Sequence, residues 1–151
     1  MTMVGINIIK EKISDASGSI WECLDEVEEK LHIIREKLLE KYEEYVKVLK
    51  ELEELRKLPH AFGWLERRKV RNKVGQVYEY WYYCYYDNGS RVVQYIGSKV
   101  PEKLIKMLER GKEIRRKERE LKRIEKEINE MVKSIQTCIN YIYRGLNYLK
   151  F

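Results

Sequence analysis

Apolar positions along the chain follow two different periods, and the change between them divides it. From Leu24 onward apolar residues recur at heptad spacing, with Leu24, Leu31, Leu38, Tyr45 and Leu52 in one register. Val27, Ile34, Val48 and Leu55 form the other, broken only by Lys41. A sustained seven-residue repeat marks a helix that buries a narrow stripe against another helix. Ser19-Ile20-Trp21-Glu22 fits a capping box, in which the Ser hydroxyl takes a free amide and the Glu reaches back, so the helix is predicted to start there. Pro59 ends it, because the residue before a proline is pushed out of the helical region. Residues 4–13 are read as a short helix or strand folded over the open end.

The last third repeats the helical pattern. Pro101 suits a first helical position, and Leu104, Ile105, Met107 and Leu108 share one face. Gly111 is read as a hinge, after which Ile114, Leu121, Ile128, Ile135, Ile142 and Leu149 form one register and Ile124, Met131 and Cys138 the other. Lys117 and Gly145 are the exceptions. At about 1.5 Å per residue the two arms come out nearly equal, roughly 55 Å each, which points to an antiparallel hairpin. A narrow seam covers little of each helix, so a two-fold dimer forming a four-helix bundle is expected in preference to a monomeric hairpin. A swapped pairing of helices between chains fits the periodicity equally well.

Between the arms the pattern alternates. Residues 64–71 read as a strand, 72–75 as a turn, 77–86 as a second strand and 91–96 as a third. Asn88-Gly89 can supply the two positive φ angles of a type I′ hairpin. That loop places Tyr86 opposite Arg91, Cys84 opposite Val93 and Tyr82 opposite Tyr95 on one side. On the other it places Tyr85 opposite Val92, Tyr83 opposite Gln94 and Trp81 opposite Ile96. The expected fold is α+β and mostly α, a long antiparallel coiled-coil helical hairpin with a three-stranded antiparallel sheet inserted at its tip. Its parts are an amino-terminal segment over residues 1–18, a first coiled-coil helix over 19–58, the sheet over 60–99, and a helix over 101–150 hinged near Gly111.

Composition narrows the classes. The 151 residues can hold one ordinary core or a small globular unit with extended helices. Charged residues make up 37%, rich in Lys and Glu with only three Gln, a bias of proteins from hot environments that suggests a thermophilic, archaeal source. The net charge of +6 favours anionic partners. Cys23, Cys84 and Cys138 are widely spaced and form no metal-binding or disulfide pattern, as suits a reducing cytosol. No apolar run is long enough to span a membrane and no signal-peptide cleavage site is evident, so the protein is expected to be cytoplasmic and away from membranes.

The candidate chemistry lies in the sheet. Arg67, Arg68, Lys69, Arg71 and Lys73 fall within seven residues, beside a strand with six tyrosines and a tryptophan. From His60 to Lys99, seven Lys or Arg face three Asp or Glu, a net +4 of the total +6. Cations that hold phosphates next to rings that stack or hydrogen-bond are what a nucleic-acid surface requires. Tyrosine also favours strands and basic edges discourage aggregation, so packing and edge protection explain part of this pattern. Tyr83, Tyr85, Arg91, Gln94 and Lys99 complete the candidate contact set.

The run Gly63-Trp64-Leu65-Glu66, the strand from Val77 to the Asp87-Asn88-Gly89 turn, the stretch Arg91 to Tyr95-Ile96-Gly97, and the helix from Pro101 together resemble a strand-hairpin-"YIG"-helix module. The module occurs in archaeal and mobile-element proteins and is similar to the amino-terminal arm-binding sheets of tyrosine recombinases, including integrases of archaeal viruses. The resemblance implies a sheet lying against duplex DNA, with Arg67 to Arg71, Tyr83, Tyr85, Val92 and Gln94 toward it. Glu79 departs from the neutral or basic residue of that pattern. The recombinase catalytic part has no counterpart, since His32 and His60 are the only histidines.

No phosphate loop, nucleophile elbow or metal-spaced ligand set occurs and the many carboxylates give no sign of a desolvated pair, so neither an enzyme nor a cofactor is expected. The expectation is a dimeric, nucleoid-associated protein that binds DNA, with RNA possible on the same surface. The rival is a structural or assembly module whose aromatic sheet docks a protein partner, since Tyr, Trp and Arg are also the residues of interface hot spots.

Overall fold

The computed structural model describes the backbone of residues 3–148 and the side chains of Glu22 and residues 25–144. The side chains of Cys23 and Leu24, and the whole of Leu149, lie outside that range. The fold is α+β and mostly α: helix α1 (Met3–Lys57), strands β1 (Trp64–Arg71), β2 (Val77–Asp87) and β3 (Ser90–Gly97), and helix α2 (Glu102–Tyr148). Among the described residues no helix is long and apolar enough to cross a membrane.

Two boundaries differ from the sequence reading. The chain is already helical at Met3, so Ser19 lies inside α1 and residues 3–18 are not a separate segment. A capping box contributes only about 1 kcal/mol, and local preference of that size yields where the flanking residues can continue a helix. Likewise α2 runs unbroken through Gly111, which is therefore no hinge. A Cβ at Gly111 would stand 1.9 Å from the Ala61 carbonyl oxygen, so the glycine is there to let the connection before β1 approach the helix. The Ala61 amide donates to the Met107 carbonyl at 3.0 Å, and Arg110 Nη1 donates to the Pro59 carbonyl at 2.9 Å.

The chain divides into two compact units, one of Met1–Glu43 with Ser134–Phe151 and one of Glu44–Lys133. In the second unit Val48 and Leu52 of α1 and Leu108, Ile114 and Ile124 of α2 are buried, four of the five at heptad positions. Each such side chain contributes about 1.5–3 kcal/mol on leaving water. Ion pairs Glu44–Arg123 (3.7 Å) and Glu51–Lys117 (2.5 Å) join the helices in opposite chain order. Lys117, an exception in the apolar stripe, is 15% exposed and has a second carboxylate, Glu120, at 3.8 Å. In the first unit, by contrast, the heptad positions Val27, Leu31 and Ile142 are exposed at 46%, 48% and 51%.

The strands pair antiparallel in the order β1-β2-β3. Asn88 and Gly89 have φ of 47° and 80°, as the two-residue turn requires. The expected pairs Tyr86–Arg91, Tyr85–Val92, Cys84–Val93, Tyr83–Gln94 and Tyr82–Tyr95 all form. Trp81 does not pair with Ile96: a bulge between Trp81 and Tyr82 sets it opposite Gly97, whose φ is 127°. The glycine admits a backbone twist that a side chain there would oppose. The β1–β2 turn is held by Asn72, whose Oδ1 accepts from the amides of Val74 and Gln76 at 3.1 and 2.9 Å.

Candidate nucleic-acid interface

Alternation along the strands gives the sheet two chemically different faces. One carries Trp64, Glu66, Arg68 and Val70 of β1, the even-numbered residues Tyr78 to Tyr86 of β2, and Arg91, Val93 and Tyr95 of β3. This tyrosine face is open, with Tyr95 at 58%, Tyr86 at 67% and Tyr78 at 43% exposure. Its rings touch in a row: Tyr78 and Tyr80 stack at 6.3 Å between centroids, and Tyr95 meets both Tyr80 and Tyr82 edge-on at 5.6 Å. Cys84, on the same face and paired with Trp64 and Val93, is fully buried.

The opposite face carries Arg67, Lys69, Trp81, Tyr83, Tyr85 and Gln94 and turns toward α2 at one end. There a cleft of about 650 Å³ is lined by Phe62, Tyr83, Tyr85, Leu108, Gly111 and Arg115, among others. Tyr83 and Tyr85 stack at 5.0 Å, and the Tyr83 hydroxyl donates to the Phe62 carbonyl at 2.5 Å. Burial raises the pKa of Tyr83, which keeps it a neutral donor. The Arg115 guanidinium lies 4.9 Å above the Phe62 ring.

Two carboxylates organise the cations. Glu66 accepts from Arg68 Nη2 at 2.7 Å, from Trp64 Nε1 at 3.2 Å and from Arg91 Nη2. The hydrogen bonds from Arg68 and then Trp64, with the Arg91 charge close by, hold its pKa down at about 2. So anchored, the Arg68 guanidinium stands 4.6 Å over the Tyr82 ring and that of Arg91 5.6 Å over Trp64. On the other face Glu79 lies 3.2 Å from Arg67 and 3.7 Å from Lys69. Arg71, Lys73 and Lys99 form no ion pair among the described residues.

The ten sequence candidates therefore do not share one surface. Arg68 and Arg91 stand on the tyrosine face; Arg67, Lys69, Arg71, Tyr83, Tyr85 and Gln94 are on the other; Lys73 is in the β1–β2 turn and Lys99 follows β3. Sequence reasoning passed over Tyr78, Tyr80, Tyr82 and Tyr95, and over Glu66. Alternation and the Asn88-Gly89 register already placed Tyr80, Tyr82 and Tyr95 together. The docking of Ala61 on α2 relies on Gly111, which the sequence alone reads as a hinge. His60 belongs to the connection, where its Nδ1 lies 2.8 Å from the Leu58 carbonyl. His32 is exposed on α1. Among the described residues no group of three or more His, Cys, Asp or Glu could hold a metal ion. No protein-family model, curated protein or solved structure matches the chain.

Proposed function

We propose that this chain is a non-enzymatic nucleic-acid-binding protein of the archaeal cytoplasm that works on the nucleoid as a dimer. One observation carries the reading: a row of half-exposed to exposed tyrosine rings, with the Arg68 guanidinium over Tyr82, ends near Lys73 of the turn and, on the opposite face of the strand end, Arg71, cations with no ion pair among the described residues. Phosphates are anchored by those cations and by Lys99, and the rings meet bases or sugars. The two helices pair as an antiparallel coiled-coil hairpin that carries the sheet, and their half-exposed heptad positions Val27, Leu31 and Ile142 support closure by a second copy.

The test is fluorescence anisotropy with labelled DNA and RNA over a range of salt, comparing the native chain with Arg71→Ala/Lys73→Ala/Lys99→Ala. None of these three holds the sheet together, so the variant should keep its thermal midpoint while losing most of its affinity. Unchanged binding in the variant, or none by the native chain at low salt, refutes the reading. The second reading, a protein-docking sheet, is favoured by Val70 and Val93, exposed at 43% and 41% on the tyrosine face. It calls for binding that salt scarcely weakens.

A further inference from the structure

We infer that the tyrosine face takes an unpaired strand rather than duplex, stacking successive bases on the row that runs from Tyr78 through Tyr80 and Tyr95 to Tyr82. This deepens the proposal that the sheet binds nucleic acid and rests on it. Successive ring centroids are 5.6–6.3 Å apart. Bases in a duplex rise by about 3.4 Å along each strand and present only their edges, so they can neither match that spacing nor offer a face to a ring. A strand whose bases have come apart can do both.

The polar groups of the face point the same way. The Tyr78 hydroxyl donates to Gln76 Oε1 at 2.6 Å, so what this residue offers outward is its ring. Arg68 and Arg91 are held by Glu66 over the Tyr82 and Trp64 rings, where they are planar surfaces for a base and poorly placed to reach into a groove. Lys73 lies in the turn just past the Tyr78 end, since Val70 pairs with Tyr78 and Arg71, on the opposite face, pairs with Val77 as the last residue of β1. Phosphate is thus anchored at one end of the row and bases stack along the rest, a footprint of about three nucleotides by analogy with other aromatic sheets.

The experiment measures, at one salt concentration, binding of the full chain to a short mixed-sequence oligonucleotide as single-stranded RNA, single-stranded DNA and DNA duplex. Tyr95→Ala, Tyr78→Ala, Tyr95→Phe and, on the opposite face, Gln94→Ala are compared, with thermal melting to verify folding. The single strands should bind at least about tenfold tighter than duplex, each Tyr→Ala change should weaken them about tenfold, Tyr95→Phe should recover most of what Tyr95→Ala loses, and Gln94→Ala should leave them unchanged. The RNA and DNA arms identify which strand is preferred. Duplex binding as tight as single strand, or single-strand binding indifferent to both Tyr→Ala changes, overturns this inference and leaves the broader nucleic-acid reading standing. No binding of any of the three overturns both.

Discussion

Glu66 accepts from three residues at once, and its ionisation is coupled to the integrity of the tyrosine face. Its pKa in the folded chain, about 2, lies below the ordinary 4.5, so the ionised form adds stability that is full above about 4.5. That stability is lost as pH falls from there through about 2. Near-ultraviolet circular dichroism of the aromatic groups should show the native sheet melting at progressively lower temperature across that window. Glu66→Gln, already deprived of the charge, should melt earlier at neutral pH and change less on acidification; equal acid sensitivity in the two proteins would refute the coupling. Trp64 and Arg68 stand two residues either side of Glu66 on the same strand, but the role of Glu66 was hidden in the sequence because Arg91 of β3 reaches it only once both pairings, β1 to β2 and β2 to β3, have formed. Glu79, by contrast, already stood out as an acid among cations expected to meet phosphate.

At the scale of elements, strands and hairpin were legible almost to the residue, because alternation and a two-residue turn with two positive φ angles allow few registers. The bulge at Trp81 was not, since an extra residue in one strand leaves the apolar pattern nearly intact. Helix ends and breaks were the least legible, and Gly111 shows why: within a helix a glycine signals either flexibility or close approach, and only the neighbouring chain decides which. A substitution separates the two. Gly111→Ala gains about 1 kcal/mol of helix propensity, but its Cβ meets the Ala61 carbonyl at 1.9 Å. Overpacking of this kind costs about 1–3 kcal/mol, so the clash should prevail and thermal unfolding should shift downward by several degrees. A rise in the melting temperature would mean that the docked connection yields without cost.

For the molecule as a whole, the heptad repeat foretold which helix residues are apolar without telling which chain covers them. Val48, Leu52, Ile114 and Ile124 are buried within one chain, whereas Val27 and Leu31 keep about half their surface. Dimerisation through these positions follows from the proposal, and Leu31→Glu should convert the dimer to a monomer in light scattering while the melting of the sheet stays near native. A native chain that is monomeric at all concentrations would refute it. The shared carboxylates have a consequence for thermodynamics. Glu66 and Glu79 act as built-in counter-ions that cancel two of the four positive charges of Arg68, Arg91, Arg67 and Lys69. Binding then displaces fewer of the cations condensed on the phosphates: a plot of log affinity against log salt for a single strand should have a slope of about −3.5, as for five positive charges, where seven would give about −5. A surface so rich in arginine would then lose its ligand to rising salt, but less steeply than its number of cations implies.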